Sequence, residues 1–345
     1  MFQKLYFVLL WICIEGIRLF QKWINRRWTP PSNIPYHDAT PRYLYYIQSH
    51  LNSKLYAQSA YRHEQLKNCA VQSWIPNNPV VAHVFFLPGF NQCAFLQYEY
   101  FISKMLNHSI AVHAVDYPGS DSMVGEIGEL NERSLDDLNL LVSEAFEFVQ
   151  GKYSRGVQKL HLCGFSMGSL LSIHLLQNYS DKIDKCVLMA PVVLPVHQII
   201  VNTIKSLHPT IARWTNTPMW TLSDDLNEMK QYEQEMFISK QLPPSACTLW
   251  TVHNLCTSVQ KLLMNPKLQK DTLWIHGQQD SIMPCTQLEQ VLHRLNCLRV
   301  YIPGANHSLL FGVSLEVKDQ VCGNILDFYG ATSSPSEKKK RETTT

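Results

Sequence analysis

From residue 79 onwards, short apolar runs alternate with longer segments in which apolar residues recur at helical spacing. Each run is followed within two residues by Gly, Pro or Asp, as is typical of buried strands. The predicted strands cover residues 80–87, 110–115, 160–163, 185–189, 272–276 and 298–302. Residues 134–149 are typical of a helix, with Ser134 as its N-cap and Asp136 and Asp137 in its first turn. This alternation indicates a mostly parallel α/β sheet flanked by helices.

Residues 194–268 interrupt the alternation of strands and helices. Amphipathic stretches such as 197–207 and 227–238 follow one another there without an intervening strand. We therefore expect a helical cap, inserted over the carboxyl edge of the sheet. The cap separates two parts of the predicted core, residues 36–193 and 269–330.

The segments at the two borders of the core have less regular patterns. Residues 41–65 carry several tyrosines among polar residues, and we interpret them as partly helical. Residues 331–345 are polar and basic. We therefore expect a disordered tail there.

Residues 1–28 form a separate apolar and amphipathic segment. The run 5–14 is uninterrupted, but it is too short to span a bilayer, and Glu15 ends it. The basic residues that follow are Arg18, Lys22, Arg26 and Arg27. This pattern favours an uncleaved anchor or an interfacial helix, and so a membrane-associated protein that touches the membrane surface. The alternatives are a signal cleaved from a secreted protein and a helix packed on a cytoplasmic one.

Composition narrows the class of protein. The 345 residues can bury a large core, and 46% hydrophobic with 17% charged residues suits a globular protein. The formal net charge of +2 makes no electrostatic case for binding nucleic acid. The 10 cysteines form no C-x-x-C pair, which argues against a zinc site and favours reduced thiols.

Residues 159–176 contain the most informative motif, KLHLCGFSMGSLLSIHLL. A short apolar strand leads into a G-x-S-x-G pentapeptide at 164–168, and leucines at helical spacing follow. This context is typical of a nucleophile elbow, in which a strained serine, here Ser166, stands at the start of a helix. A glycine-rich turn with no catalytic role is the alternative. The hypothesis therefore requires a base, an acid and oxyanion donors in the right order.

A serine hydroxyl needs a base to remove its proton. In this type of elbow the base is a histidine that follows the last strand, and His307 follows the strand at 298–302. The acid that orients the imidazole follows the preceding strand, and Asp280 follows the strand at 272–276. The order Ser166, Asp280, His307 is the order expected for a nucleophile elbow.

We assign structural and not catalytic roles to several other aspartates and histidines. Asp116 and Asp121 are rival carboxylates, but they precede the serine, and we interpret them as loop-capping residues. His161 and His276 lie within predicted strands, and we interpret them as facing the layers on the sheet.

Two main-chain N–H groups are predicted to stabilise an oxyanion. One belongs to Met167, the residue after the candidate nucleophile. The other belongs to Phe90, in the loop after the strand at 80–87, where Gly89 lets the chain lie close to the reacting carbon. Such a site requires neither a metal ion nor an organic cofactor.

Together these motifs resemble the α/β-hydrolase superfamily, and within it the monoglyceride lipase/lysophospholipase family, also called serine-aminopeptidase-like. The similarity covers about residues 79–328. Its motifs are LPGF at 87–90, DYPGSDS at 116–122, GFSMGS at 164–169, HGQQDSIMP at 276–284 and GANHSLLF at 304–311. The resemblance implies an α/β-hydrolase fold, and the cap at 194–268 has the position and approximate length found in the family.

The sequence departs from the family pattern at two places. Pro88-Gly89 stands where the family has His-Gly, and the tetrapeptide at 117–120 stands where it has Arg-Gly-His-Gly. The resemblance implies a serine hydrolase whose substrate is a small-molecule acyl ester or lipid, such as monoacylglycerol or lysophospholipid. A thioesterase, acyltransferase or peptidase using the same three residues, or a catalytically silent ligand-binding protein, are the alternatives.

Overall fold

One sheet of eight strands organises the computed structural model of the chain. The residues that the structure describes are 59–89, 92, 94–118, 135–154, 159–193, 246–263, 271–293, 295 and 297–331. The strands are β1 (Ser59–Gln65), β2 (Ala70–Pro76), β3 (Ala82–Leu87), β4 (Ile110–Asp116), β5 (Lys159–Phe165), β6 (Cys186–Met189), β7 (Thr272–Gly277) and β8 (Leu298–Ile302). Their order across the sheet is β1-β2-β4-β3-β5-β6-β7-β8. The pairs β1–β2 and β2–β4 are antiparallel and the other pairs are parallel, so the predicted mostly parallel sheet is confirmed.

Helices cover both faces of the sheet. They are α1 (Ala94–Asn107), α2 (Leu135–Tyr153), α3 (Met167–Tyr179), α4 (Ala246–Leu262), α5 (Cys285–Leu292) and α6 (Leu315–Tyr329). Neighbouring residues of β3 point to opposite faces, as strand geometry requires. Phe85 packs edge-on against Phe146 of α2 at 5.5 Å between ring centroids, while Phe86 lies 5.2 Å from Phe101 of α1. Buried residues of α3, α4 and α5 share the α2 face, and those of α6 share the α1 face.

The interpretation of residues 41–65 as partly helical is wrong for residues 59–65, and residues 41–58 lie outside the described residues. Residues 59–65 form strand β1 and not a helix, and β1 pairs with β2 in a hairpin that was not predicted. Both strands contain polar residues and therefore lack the apolar pattern that predicts a strand. Strand β1 is half exposed at the edge of the sheet, and β2 buries Gln72 and Ser73. These buried polar side chains bind Asp116 and His113 of β4, which a sequence pattern does not reveal.

Several predicted segments lie outside the described residues. These are residues 1–28, most of the predicted cap at 194–268, and the tail beyond Ala331. Within the cap range the structure describes α4, whose Leu255 and Val259 are buried in the cluster that includes Leu171 of α3. None of the described helices is both long enough and apolar enough to cross a membrane.

Candidate active site

Ser166 stands on a sharp turn between β5 and α3. Its backbone has φ 50° and ψ −114°, a conformation that costs a non-glycine residue about 1–3 kcal/mol. The main chain holds the turn in place, since the Ser166 N–H donates to Met189 O over 2.8 Å. The hydroxyl of Ser169 donates to Gly164 O at 2.8 Å and lies 2.9 Å from Met189 O. The serine therefore occupies a strained position that the end of β6 stabilises.

The two glycines of the pentapeptide allow the elements of the elbow to approach closely. A Cβ on Gly168 would lie 1.9 Å from Leu87 O, and a Cβ on Gly164 would lie 2.5 Å from Gly168 O. Both distances are far below van der Waals contact. Any side chain at either position would displace main-chain atoms, so the glycines are required by packing.

Asp280 lies in the tight turn after β7, where hydrogen bonds reach both of its oxygens. Its Oδ1 accepts the N–H groups of Ile282 and Met283, each over 2.9 Å. Its Oδ2 lies 2.8 Å from Nδ1 of His307, which is in the loop after β8. The two side chains are almost fully buried, with residue exposures of 3% for Asp280 and 5% for His307.

The electrostatics of this turn favour an ionised carboxylate. Burial by itself raises the pKa of Asp280, but the positive charge of His307 and the hydrogen bonds to the carboxylate outweigh it. The net result is a pKa of Asp280 below its usual value. An ionised Asp280 accepts a hydrogen bond, so the ring of His307 carries a proton on Nδ1 and leaves Nε2 free to act as an acceptor.

The structure brings Ser166, Asp280 and His307 together. Nε2 of His307 lies 3.0 Å from the Ser166 hydroxyl, on the opposite side of the ring from Asp280. Gly277 makes this convergence possible, because a Cβ there would lie 2.1 Å from Asn306 O in the loop that carries His307. The arrangement can move a proton from a serine hydroxyl to an imidazole that a carboxylate holds in one orientation.

The structure describes one of the two candidate oxyanion donors. Met167 is the first residue of α3, where main-chain N–H groups have no acceptor inside the helix. Phe90 lies outside the described residues, so its role stays a prediction. Beside it, the Gly89 N–H donates to Oε1 of Gln92 over 2.8 Å, and the hydroxyl of Tyr98 donates to the same oxygen.

Gln92 and His276 are contacts of the site that the sequence did not reveal. Gln92 is buried and holds the loop after β3, but a single glutamine in a loop carries no pattern. His276 was interpreted only as a strand residue that faces a sheet layer. Its Nε2 in fact lies 2.6 Å from Met283 O and 3.3 Å from Oδ2 of Asp280.

Of the two rival carboxylates, the structure describes Asp116. Asp116 is fully buried at the end of β4 and accepts a hydrogen bond from the side chain of Gln72. Asp121 lies outside the described residues. Where the structure describes the chain, no three His, Cys, Asp or Glu side chains converge in a way that could hold a metal ion.

Known proteins share this architecture. The family model for serine aminopeptidase, S33, matches residues 78–313, whereas no curated protein sequence matches the chain. A soluble variant of monoglyceride lipase from Saccharomyces cerevisiae, solved with a substrate analog, is 16% identical, with 80% of this chain and 96% of that chain covered and a TM-score of 0.60. Monoacylglycerol lipase of Paleococcus ferrophilus is 16% identical, with coverages of 76% and 99% and a TM-score of 0.57.

A third similar structure is a thermostable carboxyl esterase from Bacillus coagulans in complex with glycerol. It is 15% identical, with 79% of this chain and 98% of that chain covered and a TM-score of 0.63. At such identities the likeness concerns the fold. The predicted α/β-hydrolase fold is thereby confirmed, together with the predicted resemblance to the serine-aminopeptidase-like family.

Proposed function

Because the chain belongs to the serine aminopeptidase S33 family of α/β-hydrolases and is a serine hydrolase, we propose that it cleaves carboxylic esters through an acyl-enzyme on Ser166. The observation that carries this proposal is the pair of short contacts along one imidazole. Nε2 of His307 lies 3.0 Å from the Ser166 hydroxyl, and Nδ1 lies 2.8 Å from Asp280 Oδ2. This is the geometry that nucleophilic catalysis by serine requires.

Acylation begins when His307 Nε2 takes the hydroxyl proton of Ser166 and Oγ attacks the ester carbonyl carbon. Negative charge develops on the carbonyl oxygen, and the N–H groups of Met167 and Phe90 are proposed to stabilise it. The tetrahedral intermediate collapses with loss of the alcohol, which receives the proton from His307. Asp280 stays ionised throughout and stabilises the imidazolium.

Deacylation repeats the same steps with water as the nucleophile. His307 takes a proton from water, and the resulting hydroxide attacks the acyl carbon bound to Ser166. The bond to Oγ breaks, Oγ recovers the proton, and the carboxylic acid leaves. His307 accepts and returns the proton in both steps, so the ester and water are the only reactants that these steps require.

Lipid-like esters such as monoacylglycerol or lysophospholipid are the proposed substrates. Two proteins of similar fold are monoglyceride lipases, and a third is a carboxyl esterase. The cap expected at 194–268 would cover an acyl chain in a dry pocket, and residues 1–28 would bring the enzyme to a membrane surface. This substrate class is thus supported by the similar folds and by the sequence patterns of residues 1–28 and 194–268.

Labelling with a fluorophosphonate probe tests the nucleophile. We expect covalent labelling of the wild-type protein, since the probe reacts with an activated serine hydroxyl. The Ser166→Ala variant should not be labelled, while its circular dichroism spectrum stays that of the wild type. Strong labelling of folded Ser166→Ala would show that another residue is the nucleophile, and an unlabelled wild type would favour a silent ligand-binding protein.

A panel of acyl compounds tests the substrate class on the purified protein. We expect turnover of monoacylglycerols or lysophospholipids above that of acyl thioesters and aminoacyl amides. The amides belong in the panel because the family description names an aminopeptidase. Preferential cleavage of amides or thioesters would replace the lipid-ester proposal and leave Ser166 as the nucleophile.

A further inference from the structure

His276 is a second histidine beside the acid, and the proton transfer described above does not use it. It is the next-to-last residue of β7 and is 1% exposed. Its Nε2 lies 2.6 Å from Met283 O and 3.3 Å from Asp280 Oδ2. Its Nδ1 is buried and has no hydrogen-bond partner among the described residues.

These contacts determine which nitrogen of His276 carries the proton. A carbonyl oxygen only accepts hydrogen bonds, so the short contact to Met283 O places the proton on Nε2. Burial lowers the pKa of His276, and this effect exceeds the opposite one of the Asp280 charge, so the ring stays neutral. Nδ1 is then without a proton, in agreement with its lack of an acceptor. The positive N–H edge of the ring thus lies beside the carboxylate.

Met283 links His276 to the acid through both of its main-chain groups. Its N–H donates to Asp280 Oδ1 over 2.9 Å, and its C=O accepts from His276. The residues of the turn thereby form a closed set of contacts from the end of β7 to the carboxylate. Movement of the Met283 peptide would move the N–H group that holds Asp280.

We propose that His276 is a positioning residue for the acid, which fixes the turn at 280–283 and places an N–H edge beside the carboxylate oxygen that binds His307. This inference rests on the proposed function, since it assigns a role in orienting the base. His276 itself touches neither Ser166 nor a reacting atom in this arrangement.

Loss of the His276 N–H would have two consequences. The turn would lose the hydrogen bond at Met283 O, so the position of Asp280, and with it the orientation of the His307 ring, would be less precise and the reaction would slow. The negative charge of Asp280 would also lose a nearby donor and would attract protonated His307 more strongly. A stronger negative charge beside the base favours the protonated, unreactive form of the enzyme, so the acidic limb of the pH–rate profile would move upwards.

A further described titratable group that interacts electrostatically with Asp280 is Cys285, at the start of α5. Burial and then the Asp280 charge raise the pKa of its thiol, so it stays neutral in the relevant range. Among the residues that the structure describes, the titratable side chains that interact with the acid are therefore His276, His307 and Cys285. A shift of the acidic limb in a His276 variant then reports on the interaction between Asp280 and His307.

The test compares pH profiles of fluorophosphonate labelling rates for three variants. His276→Phe keeps a ring of similar size without an N–H group, and His276→Gln keeps a donor. His161→Phe is the matched control, because His161 is also a buried strand histidine, stacked on Tyr329 at 4.2 Å, and neither of its ring nitrogens has a hydrogen-bond partner among the described residues.

We expect His276→Phe to label roughly tenfold more slowly, with its acidic limb displaced upwards by roughly half a pH unit, the size of one net hydrogen bond. His276→Gln should stay close to the wild type, and His161→Phe should have a wild-type profile. A wild-type limb in folded His276→Phe would overturn the proposal, as would an equal shift in His161→Phe.

A second measurement observes the His276 ring directly in the wild-type protein and uses a variant only to assign its signal. Nitrogen-15 NMR of histidine-labelled protein, with the His276 signal identified by its absence from His276→Gln, should show a neutral ring protonated on Nε2. A proton on Nδ1 would overturn the proposal. The proposed function is tested independently of His276. It is wrong if the wild-type protein is not labelled, or if the Ser166→Ala variant is labelled.

Discussion

Asp280 shows how a single side chain can be charged in a buried site. Burial alone would raise its pKa, but His307 and the hydrogen bonds to its two oxygens lower it. A carboxyl with a lowered pKa stabilises the fold above its unfolded pKa, and that contribution is lost as the pH falls through the folded value. The orientation of His307 by Asp280 is therefore present at neutral pH and is lost only in acid.

Substitution of the acid by its amide tests this residue. Asp280→Asn should lower turnover by roughly 10⁴-fold, because an amide does not stabilise the imidazolium and favours the wrong ring tautomer. Labelling rate and thermal unfolding would be measured together, and the fold should be kept. Asp116→Asn is the control, since Asp116 binds Gln72 and should leave labelling within about tenfold of the wild type. The opposite ranking of the two variants would make Asp116 the orienting acid.

At the scale of elements, the site depends on the contact between the end of β3 and the start of α3. These elements adjoin because β3 and β5 are neighbours in the sheet, and α3 leaves the end of β5. Gly168 in α3 lies directly against Leu87 O. This contact brings Met167 close to the loop that begins at Pro88, so both candidate oxyanion donors belong to elements that Gly168 allows to meet.

Gly168→Ala should therefore destabilise the protein by about 3 kcal/mol, the upper end of ordinary overpacking, because its Cβ meets a main-chain oxygen. Gly323→Ala is the matched control. Gly323 lies inside α6 with nothing within 4 Å of an added Cβ, so alanine there should stabilise the protein by about 0.5–1 kcal/mol. Urea unfolding of both variants measures the difference. Equal stability of the two would contradict the close approach of β3 and α3.

At the scale of the whole molecule, the chain extends beyond the part that the family model matches. The match begins at residue 78, just before β3, yet the hairpin of β1 and β2 is continuous with the same sheet. Residues 1–28 precede this hairpin and have an apolar and basic pattern. Their proposed role is to hold the enzyme at an anionic lipid surface, where an amphiphilic ester is concentrated.

Deletion of residues 1–28 should lower co-sedimentation with anionic liposomes and activity on lysolipid or monoacylglycerol presented in bilayers. Activity on a short soluble ester should change little, because Ser166, Asp280 and His307 all lie elsewhere in the chain. Unchanged lipid binding would indicate a packed helix. A mature protein already cleaved near residue 28 would indicate a signal peptide.

The sequence by itself was sufficient for the features that are local in the chain. Each of the six predicted strands is a short apolar run, and its pattern is complete within a few residues. The G-x-S-x-G turn around Ser166 and the positions of Asp280 and His307 after successive strands are local in the same sense. Parallel strands then place their carboxyl ends at one edge, and the three side chains meet there.

Only the tertiary structure decided the features that depend on partners distant in sequence. Gln72 is polar, as most surface residues are, yet it is buried because its side chain donates a hydrogen bond to Asp116 of β4. His276 has the pattern of an ordinary strand residue, and its contact with Asp280 exists because the turn after β7 folds back on the strand. A buried polar group is stable only when its partner is present, and a linear pattern does not show which residue the partner will be.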